Sequence, residues 1–262
     1  MKAQESRRIR VAGFLFMAGI LAVALWLSRQ NLLVSDAQDQ SEQLVLPIAD
    51  YYAPEPLKPE DKAKRLKRNK RYDHQSGEAI KESSYPVERI WSAHWAQGIP
   101  PLPFSQSDLI IIGTVLSSQA NLSADNTGIY SEFGIYVEEV LKGNGTSAVN
   151  EPIVSIERIG GAVRFPSGVI QKYRTSGQGM PRQGRRYVLF LKKIDQDDDF
   201  LLVTGYELRG QNVVPLDGST QQGNQPLQFD SFKGTNVSLF LRALRDAITK
   251  ASPMSQAQPD NL

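Results

Sequence analysis

Short β-branched runs separated by glycine-containing turns restrict residues 107–215 to a β architecture. The run DLIIIGTVLSS, residues 108–118, is apolar almost throughout, as in a strand that is covered on both faces. In GIYSEFGIYVEEV, residues 128–140, apolar and polar side chains alternate, which predicts a half-buried antiparallel strand. PRQGRRYVLFLKK, residues 181–193, has a five-residue apolar centre that is too short for a helix. We expect it to form a hairpin with residues 200–205.

One amphipathic helix follows these strands. Residues 235–250 begin with Thr235 or Asn236 as a cap and carry an apolar stripe at helical spacing. The stripe consists of Val237, Phe240, Leu241, Leu244 and Ile248. Strands followed by one packing helix predict a mainly β fold, a small OB-like antiparallel barrel over residues 107–250. Residues 251–262 are expected to form a flexible tail.

Three pieces of this region resemble one type of exported bacterial domain of unassigned function. They are Asp108–Val115, Val137–Gly143 and Gly184–Leu191. Their order is similar to that in the netrin-like module shared with tissue inhibitors of metalloproteinases, which is an OB-fold barrel, and the resemblance covers roughly residues 107–215. Those inhibitors coordinate the protease metal through an N-terminal cysteine, and this chain has no cysteine. The resemblance therefore implies a fold and no inhibitor mechanism.

The N-terminal region contains a membrane-length apolar segment, Val11–Leu27. As a helix it would span about 26 Å, at the short end of what a bilayer needs. Residues 1–10 carry four cations against one glutamate, which predicts that they stay in the cytoplasm and that the rest of the chain crosses the membrane. We expect an uncleaved single-pass anchor; the alternatives are a signal peptide cut after Ala37 and a buried helix. The expected membrane residues are Val11, Phe14, Leu15, Phe16, Leu21, Trp26 and Leu27.

Residues 28–85 are expected to form a polar, partly disordered linker. Its basic block, residues 57–72, holds eight cations against two carboxylates, +6, whereas the whole chain carries only +2. Leu66 is the only apolar residue near its middle, so the block is expected to bury nothing. It is either a solvated spacer or a contact for an anionic surface, and nothing indicates a specific nucleic acid. The contact residues would be Lys62, Lys64, Arg65, Lys67, Arg68, Lys70 and Arg71.

Residues 86–106 are expected to form a helical and proline-rich lead-in to the barrel. Residues 86–97 are compatible with a short helix that ends at Gly98 and the prolines beyond it. The segment brings together Trp91, His94 and Trp95. We expect the two indole rings to pack against the flank of the domain.

Catalytic constellations are absent from the sequence. The chain has two histidines and no cysteine, and it contains no nucleophile-elbow, Walker or zinc-protease motif. Clustered carboxylates are the only candidates for a metal site, namely Asp195, Asp197, Asp198 and Asp199. This cluster lacks the glycine and the distal glutamate of a known calcium loop, which favours a solvated hairpin tip. We therefore predict no catalytic residue, no metal and no cofactor.

These observations favour a membrane-anchored, extracytoplasmic binding or accessory module that is not an enzyme. Its expected partners are the membrane, through residues 11–27, and either a protein or an anionic envelope polymer. One alternative is an envelope structural protein that binds such a polymer through the basic linker, and the other is a carboxylate-dependent hydrolase. A pocket with convergent carboxylates would favour the hydrolase, whereas an exposed apolar patch would favour the binding module.

Overall fold

The computed structural model describes residues 46–91, 95–96, 98–143, 152–194, 199–218 and 229–251, and within them the chain is mainly β. The strands are β1 (Ile48–Asp50), β2 (Val87–Trp91), β3 (Leu109–Leu122), β4 (Ile129–Lys142), β5 (Ile153–Ile159), β6 (Gly161–Arg164), β7 (Ile170–Thr175), β8 (Arg186–Lys193), β9 (Phe200–Arg209) and β10 (Asn212–Pro215). The helices are α1 (Pro59–Arg71) and α2 (Val237–Ala251), with a short 3-10 turn at Asp230–Phe232.

Five strands close into a ring. The larger sheet has the order β10-β9-β5-β4-β3-β8, and β8 pairs a second time with β9. Strand β9 therefore joins the two ends of the sheet β5-β4-β3-β8. Its contact with β5 is parallel and covers two residue pairs, whereas the other contacts in the ring are antiparallel. The predicted mainly β fold with a C-terminal helix is confirmed at this level.

Strand β8 contains the apolar centre of PRQGRRYVLFLKK, and all five of its central residues are buried. Tyr187, Leu189 and Leu191 point into the ring, where they pack among aliphatic and phenylalanine side chains of the other strands. Val188 and Phe190 point outward into a second apolar cluster under α2. The hairpin with β9 forms as predicted. Both faces of the strand are covered, which explains why no alternation is visible in its sequence.

Helix α2 packs on the outside of the ring. Asn236 caps its start, because the Asn236 Oδ1 atom accepts hydrogen bonds from the backbone N–H groups of Ser238, at 3.0 Å, and Leu239, at 3.4 Å. The side chains of Phe240 and Leu244 are buried against strands β3, β8, β9 and β10. The predicted cap and the predicted apolar stripe are both confirmed.

A smaller sheet, with the order β1-β6-β7-β2, packs against the far end of the β3–β4 hairpin. The chain passes from the ring into this sheet at Gly160 and Gly161, where the φ angles are 107° and 151°. A Cβ atom on Gly161 would lie 2.8 Å from the Cβ atom of Ala120, so this close approach requires glycine. The predicted glycine break between two strands is therefore a change of sheet.

Residues 46–85 differ from the partly disordered linker expected from the sequence. The compact unit that contains the ring begins at Leu46, well before residue 107. Strand β1 pairs in parallel with β6, and α1 occupies most of the basic block. Tyr72, just after α1, and Ile80 are both buried. The expectation failed here because it considered only apolar residues, whereas α1 is held by ion pairs.

The lead-in also differs from the expected helix, because residues 87–91 form strand β2 and pair in parallel with β7. Both indole rings pack as predicted. The Trp91 ring lies 5.9 Å from the ring of Tyr173, and the Trp95 ring is stacked on Phe229 at 5.9 Å. His94 lies outside the described residues.

Candidate functional site

Helix α1 carries arginines three positions apart at 65, 68 and 71, and two of them bind carboxylates of the ring. The Arg68 Nε atom donates a hydrogen bond of 2.7 Å to Asp199 Oδ2, and a second nitrogen binds the other oxygen of the same carboxylate. The Arg71 Nη1 atom lies 2.5 Å from Glu157 Oε2. A fork–fork contact of this kind fixes geometry as well as charge, which lysine cannot do.

The carboxylates come from the outer face of two neighbouring strands. Glu132 on β4 and Glu157 on β5 are direct cross-strand partners, and like charges in such a pair repel each other. Arg68 offsets that repulsion, since its nitrogens lie 3.1 Å from Glu132 and 3.5 Å from Glu157. Asp199 stands directly before β9, where that strand meets β5. We call Arg68, Arg71, Glu132, Glu157 and Asp199 the arginine–carboxylate cluster.

Two tyrosines close one side of this cluster. Tyr72, which follows α1, stacks on Tyr130 of β4 with ring centroids 4.1 Å apart. The Tyr72 hydroxyl donates a hydrogen bond of 2.7 Å to Glu157 Oε2, and the Tyr130 hydroxyl donates one of 2.8 Å to Asn69 Oδ1. Burial raises the pKa of both phenols, so both remain neutral donors at neutral pH.

Burial also sets the electrostatics of the charged members. The Glu157 side chain has no exposed surface, and this burial raises its pKa despite the hydrogen bonds from Tyr72 and Arg71, which lower it. Burial alone would lower the pKa of Arg68, but the hydrogen bond to Asp199 and the charge of Glu132 raise it. The guanidinium therefore stays charged. In this conformation Glu157 is enclosed by the protein, and Arg71 and Tyr72 bind its carboxylate.

The four lysines of α1 are exposed to solvent. Lys62, Lys64, Lys67 and Lys70 are exposed, and Lys62 forms a surface ion pair of 2.5 Å with Glu55. We call these four residues the lysine face. The set predicted to contact an anionic surface is thus divided, because Arg68 and Arg71 bind the ring while the lysines remain on the surface. Contact of the lysine face with an anionic surface stays a prediction.

Of the four aspartates considered for a metal site, the structure describes Asp199. Asp199 is 3% exposed and binds Arg68, so its carboxylate is neutralised within the fold. Asp195, Asp197 and Asp198 lie outside the described residues. Across the part of the chain that the structure describes, no group of histidine or carboxylate side chains is arranged to hold a metal ion.

A second buried ion pair joins β5 to the segment after β10. The Arg158 guanidinium donates hydrogen bonds of 2.7 and 2.9 Å to the two carboxylate oxygens of Asp217, and both side chains are almost completely buried. Asp217 also accepts hydrogen bonds from Thr204 Oγ1 and from the backbone N–H of Gly179, each at 2.8 Å. The Trp95 ring lies over the Arg158 guanidinium at 5.9 Å. These contacts hold Arg158 inside the domain and give it a structural role.

Glu207 of β9 is a further buried carboxylate, and two arginines bind it. Arg182 and Arg209 donate hydrogen bonds of 2.9 and 3.0 Å to its Oε2 atom. Burial would raise the pKa of Glu207, but the hydrogen bonds from Arg209 and Arg182 outweigh it and lower the pKa. The arginines at the two ends of the β8–β9 hairpin are thus partly neutralised within the fold.

Next to the arginine–carboxylate cluster, the outer face of β4 and β5 is open. Tyr136 and Ile153 are cross-strand partners there, and they are 47% and 49% exposed. They lie on the same face as Glu132 and Glu157, four residues away along each strand, because side chains alternate along a strand. We call Tyr136 and Ile153 the apolar pair. The sequence had placed Tyr136 on the outer face of its strand, but the partner across the sheet was not identified.

No protein-family model matches this chain, and a comparison with curated proteins finds no match. None of the helices in the described part of the chain is long and apolar enough to cross a membrane. The expected anchor, Val11–Leu27, lies outside the described residues.

Sequence reasoning missed the carboxylate side of the cluster. Glu132 and Glu157 looked like ordinary solvent-facing residues of half-buried strands, because their partners are 64 and 86 positions away. One signal was available in the basic block. Arginines recur every three residues at 65, 68 and 71, and arginine is the residue type that suits bidentate ion pairs with carboxylates, which a solvated spacer does not need.

Proposed function

We propose that this protein is a membrane-anchored, extracytoplasmic binding or accessory module, and that its binding surface includes the apolar pair. The observation that carries the proposal is the half-exposed pair Tyr136–Ile153 beside the arginine–carboxylate cluster. An aromatic ring and a branched aliphatic side chain on a rigid sheet supply contact area at low entropic cost. The hydrolase alternative receives no such support, since the neighbouring carboxylates are bound to arginines.

The ring order supports the OB-like interpretation of the fold. Strands β3, β4, β5, β8 and β9 form a closed five-stranded ring, as in the Greek-key barrel that the resemblance implies. In OB folds the face formed by the second and third strands is a common ligand-binding surface. In this chain those strands are β4 and β5, which carry the apolar pair. The proposal therefore places the binding surface where such barrels bind ligands.

The binding proposal is tested by site-specific photo-crosslinking in intact membranes with the full chain. A benzophenone amino acid at position 136 should form a discrete adduct that is lost when Ile153 is changed to serine. The matched control has the same label at Tyr85, which is 67% exposed and precedes strand β2. The same adducts from both positions, or an adduct at 136 that persists in Ile153→Ser, would overturn the proposal.

The membrane part of the proposal rests on the sequence of residues 1–27. A reporter that is active only outside the cytoplasm, fused after Leu262, should be active. Replacing Arg7, Arg8 and Arg10 with glutamine should reduce that activity, because the basic flank determines the orientation. A silent fusion combined with an active cytoplasmic reporter at the same point would show the opposite orientation.

The exposed lysine face favours a second candidate function, attachment to an anionic envelope polymer or to anionic headgroups. Binding of the full chain to anionic vesicles should weaken steeply with salt, because each neutralised charge releases counterions. Glutamine at Lys62, Lys64, Lys67 and Lys70 should reduce that salt dependence without unfolding the domain, since the arginine–carboxylate cluster stays intact. Retention that is equal for wild type and variant at every salt concentration would exclude this function.

A further inference from the structure

A cavity of about 390 Å³ lies between the segment after β1, helix α1 and the far end of β3. Helix α1 lines it with residues one and two turns apart on one side, Lys62, Arg65, Leu66 and Asn69. This side differs from the one that binds the carboxylates of β4 and β5. The volume falls within the range of small-molecule sites, and the cavity is open to solvent.

The charges in the cavity leave one cation available. Glu55 pairs with Lys62 at 2.5 Å, and Asp50 pairs with Arg164 at 3.6 Å. Arg65 donates only a long hydrogen bond of 3.4 Å to the backbone carbonyl of Pro54, and no described residue offers it a carboxylate. The guanidinium therefore retains most of its donors and one unmatched positive charge.

Two amides add donors beside that charge. Asn121 of β3 lines the cavity and is only 8% exposed, yet its side-chain amide has no hydrogen-bond partner in the described part of the chain. The Asn69 Oδ1 atom accepts from the Tyr130 hydroxyl, and no described residue accepts from the Asn69 Nδ2 atom. The Asn121 amide therefore keeps its hydrogen-bonding capacity free on the wall of the cavity.

Most of the remaining lining is apolar, formed by Tyr51, Leu66 and Leu122 together with alanines 49 and 120, and Ser123 and Asn126 add polar groups at its edge. A ligand that suits the cavity therefore joins an anionic acceptor to a small apolar group. One unmatched guanidinium corresponds to one negative charge, which fits a carboxylate better than a phosphate monoester with its charge of about −1.5 to −2. Arginine also binds carboxylates with two parallel hydrogen bonds.

We propose that this cavity binds a monocarboxylate that bears a small apolar group, either a free short-chain acid or the C-terminal end of a peptide. Arg65 binds the carboxylate, Asn69 and Asn121 supply further hydrogen bonds, and Leu66 and Leu122 contact the apolar group. The site does not depend on the function proposed above, because the apolar pair contributes nothing to it.

The test is isothermal titration calorimetry on the full chain in a neutral detergent, with three probes. Hexanoate represents a free acid, N-acetyl-L-leucine represents a peptide end, and N-acetyl-L-leucinamide is the neutral control. We expect saturable binding of at least one acid and none of the amide. Stronger binding of N-acetyl-L-leucine than of hexanoate would assign the site to peptide ends, and the reverse order would assign it to free acids.

Variants of α1 tie that binding to the cavity. Arg65→Gln keeps a good helix former and should weaken acid binding roughly tenfold or more, because it removes a charge-assisted contact. Arg65→Lys should give an intermediate affinity, and Lys64→Gln, which changes the exposed side of the same helix, should bind like wild type. Circular dichroism checks that each variant is folded. Equal binding of acid and amide, no binding of either acid, or an unchanged affinity in folded Arg65→Gln would overturn the proposal.

Discussion

Arg68 and Asp199 are 131 positions apart in the chain, and their side chains form a bidentate ion pair on the outer face of the ring. The pair joins helix α1 to the start of β9. Arg68 is 12% exposed and Asp199 is 4% exposed as side chains, so water screens their interaction only partly. This contact makes a helix without any buried apolar residue part of the folded domain.

Replacing Arg68 with glutamine should lower the free energy of unfolding by about 3–5 kcal/mol, because it leaves buried carboxylates without their cation. The matched control is Lys64→Gln on the exposed side of α1, which should change stability by less than about 0.5 kcal/mol. Urea unfolding of residues 46–262 measures both. Equal midpoints for the two variants would mean that α1 is not held by the cluster.

Leu244→Ala should cost about 2–5 kcal/mol, because Leu244 has no exposed surface and packs against the ring. The same substitution at Leu239, which is 53% exposed on the same helix, should cost far less. Thermal melts of the same fragment compare the two. If the Leu244→Ala and Leu239→Ala variants have the same melting temperature, helix α2 does not dock on the ring.

Glu157 and Glu207 should make opposite contributions to the pH dependence of stability. The pKa of Glu157 is raised in the fold. Its contribution to the free energy of unfolding is therefore fully present below the ordinary pKa of 4.5, and it is lost as the pH rises through the pKa in the folded state. The pKa of Glu207 is lowered, so its contribution is present above 4.5 and is lost as the pH falls through the folded pKa.

Urea unfolding between about pH 3 and 7 measures this difference. Wild type should gain stability relative to Glu157→Gln as the pH falls toward 4.5, and it should lose stability relative to Glu207→Gln as the pH falls below 4.5. Differences of the same sign for both variants would contradict the opposite pKa directions of the two carboxyl groups.

Asp217→Asn should cost about 3–5 kcal/mol, because it leaves the Arg158 guanidinium buried without a counter-charge. Arg158→Met should lower the free energy of unfolding by a similar amount, because it leaves the Asp217 carboxylate buried without its cation. The double variant should lose less than the sum of the two, by at least about 1 kcal/mol, since it leaves no buried charge. Strict additivity in the double-mutant cycle would show that the two groups do not interact.

The strands of the ring and helix α2 were predictable because each depends on a local pattern. Strand β8 was identified from five apolar residues between turns, and α2 from an apolar stripe with a capping residue before it. Such patterns arise because buried side chains are apolar, and the spacing of apolar residues along the sequence shows which positions are buried. The same reasoning failed at residues 87–91, where a segment that ends at Gly98 and the prolines beyond it was compatible with a helix, whereas these residues form an edge strand of the second sheet.

The docking of α1 could not be predicted in the same way. Its sequence has no apolar stripe, and its partners lie on strands that are adjacent only after the ring has formed. Tyr72 shows the difficulty, because its stacking partner is Tyr130 and its hydrogen-bond acceptor is Glu157, 85 positions away. A pattern search along the chain cannot detect contacts of this range, whereas the choice of arginine at 65, 68 and 71 would have indicated that the helix forms ion pairs.

Ring closure by β9 has a consequence for the rate and order of folding. A chain that is made from its N-terminus has β3, β4 and β5 long before residues 200–209 exist, and until then the edge of β5 has no partner in the ring. The carboxylate of Asp199 also reaches α1 only at that late stage. Contacts of such long sequence separation slow folding, and unpaired strand edges promote aggregation. We therefore expect nascent chains that end before β9 to depend on a chaperone, and completion of that strand to be the step that releases them.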